Sequence, residues 1–162
     1  MLTFLMKKNE PSSESYLIRP GLSVGPVSIG MLRDEVLSVA GEPDSRIGYG
    51  DRFSDFVVHY DAGRVSEIMV VALLYHTAEG ICTETTVEQF LDLYPEAKRI
   101  CYIDMGGSGY TSGFVYDAID KGIAYERFYL GKRSDDFLNT IYIHRPNVPI
   151  TIGGEVIPCE NL

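Results

Sequence analysis

The sequence predicts an α+β fold of two tandem units, each a helix laid on antiparallel strands, with both helices on one face of the sheet. Three observations carry this expectation. Apolar residues recur at helical spacing in two short segments. A β-rich hairpin follows each of them. The triplet Tyr60-Asp61-Ala62 in the first hairpin returns as Tyr116-Asp117-Ala118 in the second, at a comparable interval after its helix. The implied organisation is an irregular lead-in over 1–20, a first unit over 21–75, a second over 76–145 and a tail over 146–162.

The first unit opens on Gly21 to Asp44. Val24, Val27 and Ile29 make a short extended run broken by Gly25, Pro26 and Gly30. Leu32, Val36, Val39 and Ala40 then fall on one helical face, with Arg33, Asp34, Glu35 and Ser38 opposite. Asp34 and Glu35 sit in the first turn, where unpaired amides favour negative charge. Gly41 and Pro43 stop the helix. The segment SRIGYGDRFSD reads as a loop or twisted edge, and FVVHYDAGRVSEIMVVALLY as a hairpin turning at Asp61-Ala62-Gly63. Alternation aims Ile68 and Val70 at the helix and Glu67, Met69 and Val71 away from it.

In the second unit Thr85 is the expected N-cap, with Glu88 at capping-box spacing. Val87, Phe90, Leu91 and Tyr94 form the apolar face, and Pro95 ends the helix. RICYID reads as a strand, MGGSG (105–109) as a flexible connection, and GFVYDAIDKGIAYERFYL as a hairpin turning at Asp120-Lys121-Gly122. LNTIYIHR is a further strand. The tail, with three prolines and Gly153-Gly154, suits a sheet edge and not a sheet interior.

Composition narrows the function. The 14 basic and 23 acidic residues give a net charge of −9, which repels a phosphate backbone and steers a basic protein partner. Eleven tyrosines and no tryptophan suit strands and binding faces alike. Cys82, Cys101 and Cys159 are odd in number and without a CxxC, which argues for a reducing compartment and against a disulfide framework. The N-terminal MLTFLMKKNE reverses the order of a signal peptide, and no run approaches a membrane span. Cytoplasmic residence is the expectation that follows, with no membrane partner.

Gly30-Met31, Asp34-Glu35-Val36 and Gly41-Glu42-Pro43-Asp44 resemble the GM-x-x-x-EV-x-x-x-x-GEP signature of small α+β units. Such units occur in the SmpA/OmlA outer-membrane lipoproteins and, as a tandem, in β-lactamase inhibitor proteins. The resemblance covers roughly residues 21 to 145. It departs at Leu32, where the family carries a capping Thr or Ser, and in lacking a lipidated cysteine near the N-terminus. It implies a binding scaffold whose concave sheet grips another protein.

Strand alternation nominates the gripping face. Tyr102 and Asp104 share one side of RICYID, Tyr142 and His144 one side of LNTIYIHR, and Tyr125 joins this set ambiguously because Ile123 shares its parity. Tyrosine anchors with acidic steering charges fit a basic toxin or enzyme. No cofactor or metal is expected. The histidines His59, His76 and His144 stand far apart, without HExxH or a nucleophile elbow. Glycines 106, 107 and 109 lack the Lys-Ser/Thr of a phosphate loop. The leading expectation is a non-enzymatic immunity or inhibitor protein that occludes a toxin or enzyme. The alternatives are a small-molecule- or metal-binding enzyme using His59 or the Asp135-Asp136 pair, with Asp104 and Glu126 as further carboxylates, and a structural module that self-associates through a sheet edge.

Overall fold

The computed structural model describes residues 13–48, 50–104, 111–130 and 137–161. A 3-10 turn at Ser13–Tyr16 leads into β1 (Leu17–Arg19), β2 (Ser23–Val24), β3 (Val27–Ser28), α1 (Arg33–Ala40), β4 (Ser45–Ile47), β5 (Gly50–Arg52), β6 (Phe56–Asp61), β7 (Arg64–Val70) and β8 (His76–Thr77). There follow α2 (Val87–Leu93), β9 (Lys98–Asp104), β10 (Thr111–Ala118), β11 (Ile123–Leu130), β12 (Phe137–His144), β13 (Glu155–Ile157) and a closing 3-10 turn at Cys159–Asn161.

The expected pair of helix-on-sheet units does not form. The described residues are 45% strand and 16% helix, and the strands make two sheets. A nine-stranded antiparallel sheet runs in the order β13-β9-β10-β11-β12-β7-β6-β5-β4, and a small sheet in the order β3-β2-β1-β8. The reason lies in how little each helix can hold. Val36 is the buried residue of α1 and Phe90 that of α2, each contributing about 2 kcal/mol by burial, too little to organise a separate unit. Strand pairing does the organising instead. β7 meets β12 with Ile68 opposite Ile143 and Val70 opposite Ile141, so both halves join into one sheet. The small sheet spans both expected boundaries, since β1 falls within 1–20 and pairs in parallel with β8.

One core lies on the helix side of the large sheet. Ile18, Val24 and Val27 from the small sheet meet Val36, Val58, Ile68, Phe90, Tyr125, Ile141 and Ile143 there. A second, smaller cluster of Tyr102, Val115, Ala124, Tyr142 and Ile150 occupies the other face. That face is not open for a partner to grip, as the resemblance had implied. The tail crosses it, with Ile150 buried, and β13 pairs with β9 at the sheet edge.

Local chemistry explains the element ends. Leu32 has no capping side chain, and Glu35 reaches back to accept a hydrogen bond from the Leu32 amide at 2.6 Å. The capping box of α2 falls one residue later than expected. Thr86 Oγ1 accepts from the Gln89 amide, and Gln89 Oε1 from the Thr86 amide. Thr85 is used in the preceding turn, accepting from the Cys82 amide at 2.8 Å. The first hairpin turns with Ala62 at φ 48° and Gly63 at φ 79°, the left-handed pair that matches strand twist. The repeated triplet diverges in use, because Asp61 is exposed at that turn whereas Asp117 is buried in β10.

The cysteines also depart from expectation. Cys101 in β9 and Cys159 in the tail form a disulfide, with Cα atoms 5.2 Å apart. Odd number and wide spacing concealed it, because the pairing of β13 with β9 brings together residues 58 positions apart. No helix among the described residues is long and apolar enough to cross a membrane.

Candidate functional site

The tyrosines singled out by alternation divide between the two faces. Tyr102, Tyr142 and His144 share the tail side, whereas Tyr125 lies on the helix side, stacked on Phe90 at 5.4 Å, its hydroxyl donating to the Thr85 carbonyl at 2.7 Å. Asp104 ends β9 opposite Thr111, and its side chain lies outside the described set. Asp135, Asp136 and glycines 106, 107 and 109 are likewise outside the described residues.

On the tail side the two tyrosines turn inward, onto a carboxylate of the sheet. Glu126 is buried and accepts one tyrosine hydroxyl on each carboxylate oxygen, from Tyr102 at 2.5 Å and from Tyr142 at 2.6 Å. Gly113 makes this possible. It pairs directly with Tyr102, and a Cβ there would stand 2.8 Å from the Tyr102 hydroxyl, so only glycine leaves the ring its path across the sheet. Burial raises the Glu126 pKa, the two tyrosine hydrogen bonds work against that rise, and the nearby Glu67 charge adds to it. The Tyr142 hydroxyl is pushed well up by burial and by Glu126, so it remains a donor.

Two further carboxylates on this face hold the tail. Glu67 accepts the Thr151 amide at 3.1 Å through one oxygen and faces His59 Nδ1 at 3.1 Å through the other. Asp117 accepts the Ile150 amide at 3.4 Å, and its other oxygen lies 3.1 Å from His144 Nε2. Burial alone would lower the His144 pKa. The Asp117 carboxylate and the Arg145 carbonyl outweigh it, and the net shift is upward.

An open site exists elsewhere. A cleft of about 350 Å³ runs between the N-terminal 3-10 turn, the end of α1 and the turn joining β5 to β6, lined by Tyr16, Phe53, Phe56 and Tyr75 with Glu42, Asp44 and Asp55. Among the described residues no basic side chain lines it. Its aromatic floor is continuous, with Tyr16 edge-on to Tyr75 at 5.4 Å, Tyr75 edge-on to Phe56 at 6.1 Å, and Phe56 against Phe53 at 4.9 Å. A tight turn presents Asp55, and the connection from α1 to β4 carries Glu42 and Asp44. The Phe53 amide bonds to the Phe56 carbonyl, and the Asp55 carbonyl accepts the Val71 and Ala72 amides, which ties this turn to the loop carrying Tyr75. Tyr75 is 5% exposed, yet its hydroxyl makes no hydrogen bond to another described residue. Burial, then the Asp55 charge and Tyr16, push its pKa up to about 12, so the hydroxyl keeps its proton. Leu73 and Leu74, on the same loop, are 63% and 60% exposed.

The cleft was not legible from strand parity, because it is built from the lead-in and from loop residues. Phe53 and Phe56 flanking Asp55 in a segment otherwise rich in Gly, Ser and charge was the signal available. Among the described residues no group of three or more His, Cys, Asp or Glu side chains is placed to hold a metal ion. Neither known protein families, nor curated proteins, nor solved structures yield a match to this chain.

Proposed function

We propose that this chain is a non-enzymatic binding module for a basic protein, most concretely an immunity or inhibitor protein that occludes a toxin or enzyme. The observation that carries the reading is the exposed pair Leu73 and Leu74 beside the acidic turn at Asp55. Two adjacent leucines held in water are disfavoured unless a partner covers them, and an acidic surround supplies orientation and a fast encounter. The buried tyrosines of the tail side support the scaffold in this reading, and contact with the partner is made around the cleft. The Cys101–Cys159 bond removes the premise on which cytoplasmic residence was expected and supports an oxidising compartment.

Affinity capture from the source lysate, comparing the wild type with a Leu73→Asp, Leu74→Asp variant, tests this. The expected result is one stoichiometric basic protein, released as salt rises and absent from the variant. Retention of that protein by the variant, or no protein retained by the wild type, contradicts the proposal.

A further inference from the structure

We propose that the cleft is a socket for a single cationic side chain, a lysine ammonium or an arginine guanidinium, presented by the protein partner. This rests on the binding reading above but on different atoms. The cleft's volume, about 350 Å³, lies at the small end of ligand sites and suits one side chain better than an extended segment. Glu42, Asp44 and Asp55 line it, and among the described residues no lysine, arginine or histidine does. By contrast, the buried Asp51 nearby is already matched by Arg33 at 2.7 Å and Arg46 at 3.4 Å. Carboxylates over an aromatic floor attract a cation twice, through charge and through the ring faces of Tyr16, Phe56 and Tyr75.

The Tyr75 hydroxyl is the second, independent sign. The residue is 5% exposed, yet its hydroxyl makes no hydrogen bond to another described residue and is not sealed off by the fold. The cleft is the space left for its hydrogen bond, and a phenol oxygen accepts readily from an ammonium or guanidinium N–H. The alkyl stem of either side chain would run past Val39 and Ala40, which line the same wall.

The test is an NMR titration of the full, disulfide-intact chain with n-butylammonium and ethylguanidinium, with n-butanol as the neutral control. Either cation should give saturable shifts at Val39, Ala40, Phe56 and Tyr75, the stronger of the two naming the side chain, while n-butanol gives none. The variant Asp44→Asn, Asp55→Asn should bind the cations about tenfold more weakly. Shifts of equal size with n-butanol, shifts scattered over the whole acidic surface, or unchanged binding by this variant would overturn the socket. The Leu73→Asp, Leu74→Asp variant separates the two proposals, because it should lose partner capture while keeping cation binding. Cation binding with no captured partner would leave a cation site but overturn both its assignment to a partner's side chain and the protein-binding reading. Full partner capture by the Asp44→Asn, Asp55→Asn variant would leave the protein-binding reading standing and remove the socket.

Discussion

Two clusters of tyrosine and carboxylate, one on the tail side and one in the cleft, differ in what their polar groups have left to give. On the tail side Glu126 has spent both oxygens on Tyr102 and Tyr142, and Ile150 helps close the cluster from water. In the cleft the acids line an open space and the Tyr75 hydroxyl is unspent. The same residue types therefore serve two purposes. Where every donor meets an acceptor inside the fold, the cluster specifies structure. Where the groups remain unsatisfied, recognition is possible, because a partner gains what the fold has left unmade.

The largest expected effects lie on the closed cluster and spare the open one. Cys159→Ser frees the tail from β9 and removes the closure of a 58-residue separation, a loss of about 4 kcal/mol by chain entropy. Urea unfolding should show that loss, and hydrogen exchange should rise in β9 and β13 while cation binding in the cleft is unchanged. Tyr142→Phe strips one hydroxyl from a buried carboxylate and should cost about 2 kcal/mol at neutral pH, read by the same unfolding curve. If it instead abolished partner capture without loss of stability, the two clusters would have to exchange roles.

The pH dependence sharpens the comparison further. Glu126 has a folded pKa above its ordinary 4.5 and His144 one above its ordinary 6.5. Each contributes stability that is whole below the ordinary value and is lost as pH rises through the folded one. Asp51 works the other way. Burial alone would raise its pKa, but hydrogen bonds from Arg33 and Tyr60 and the charge of Arg46 bring the net shift below the ordinary 3.8. Its contribution is present above that value and is lost as pH falls through the folded pKa. Stability should therefore decline from pH 5 toward pH 8 in the wild type. The decline should be shallower in Glu126→Gln, and Asp51→Asn should leave the slope in this window unchanged while shrinking the loss at lower pH. The smallest effect belongs to Tyr75→Phe. Stability should move by less than about 0.5 kcal/mol, since no hydrogen bond to a described residue is lost, while n-butylammonium or ethylguanidinium binds less tightly.

Much of the local structure was legible in the chain. The stop at Gly41 and Pro43, the turn at Ala62-Gly63, and the aim of Ile68 and Val70 toward the helix side all follow from local rules. Alternation likewise placed Tyr102, Tyr142 and His144 on one face. What escaped it was long range. Nothing near Ile68 announces Ile143 as its neighbour, so the merger of two expected units into one sheet could not be read. Nor could the closing of the tyrosine face, which depends on Glu67 and Asp117 holding amides of the tail at Thr151 and Ile150. Tyr125 shows the limit of parity itself. Its neighbours of the same parity are Ile123 and Arg127, one apolar and one charged, and its ring belongs with Phe90 in the core.

The contrast between a spent cluster and an unspent one is tested most directly by measuring partner capture with two double variants side by side. In Tyr102→Phe, Tyr142→Phe the closed cluster loses both hydroxyls, and in Asp44→Asn, Asp55→Asn the open one loses two of its charges. The first pair should remain folded at reduced stability and hold the partner with wild-type affinity, and the second should remain fully stable and release it. Release by the first pair at temperatures where it is folded, together with retention by the second, would contradict the account.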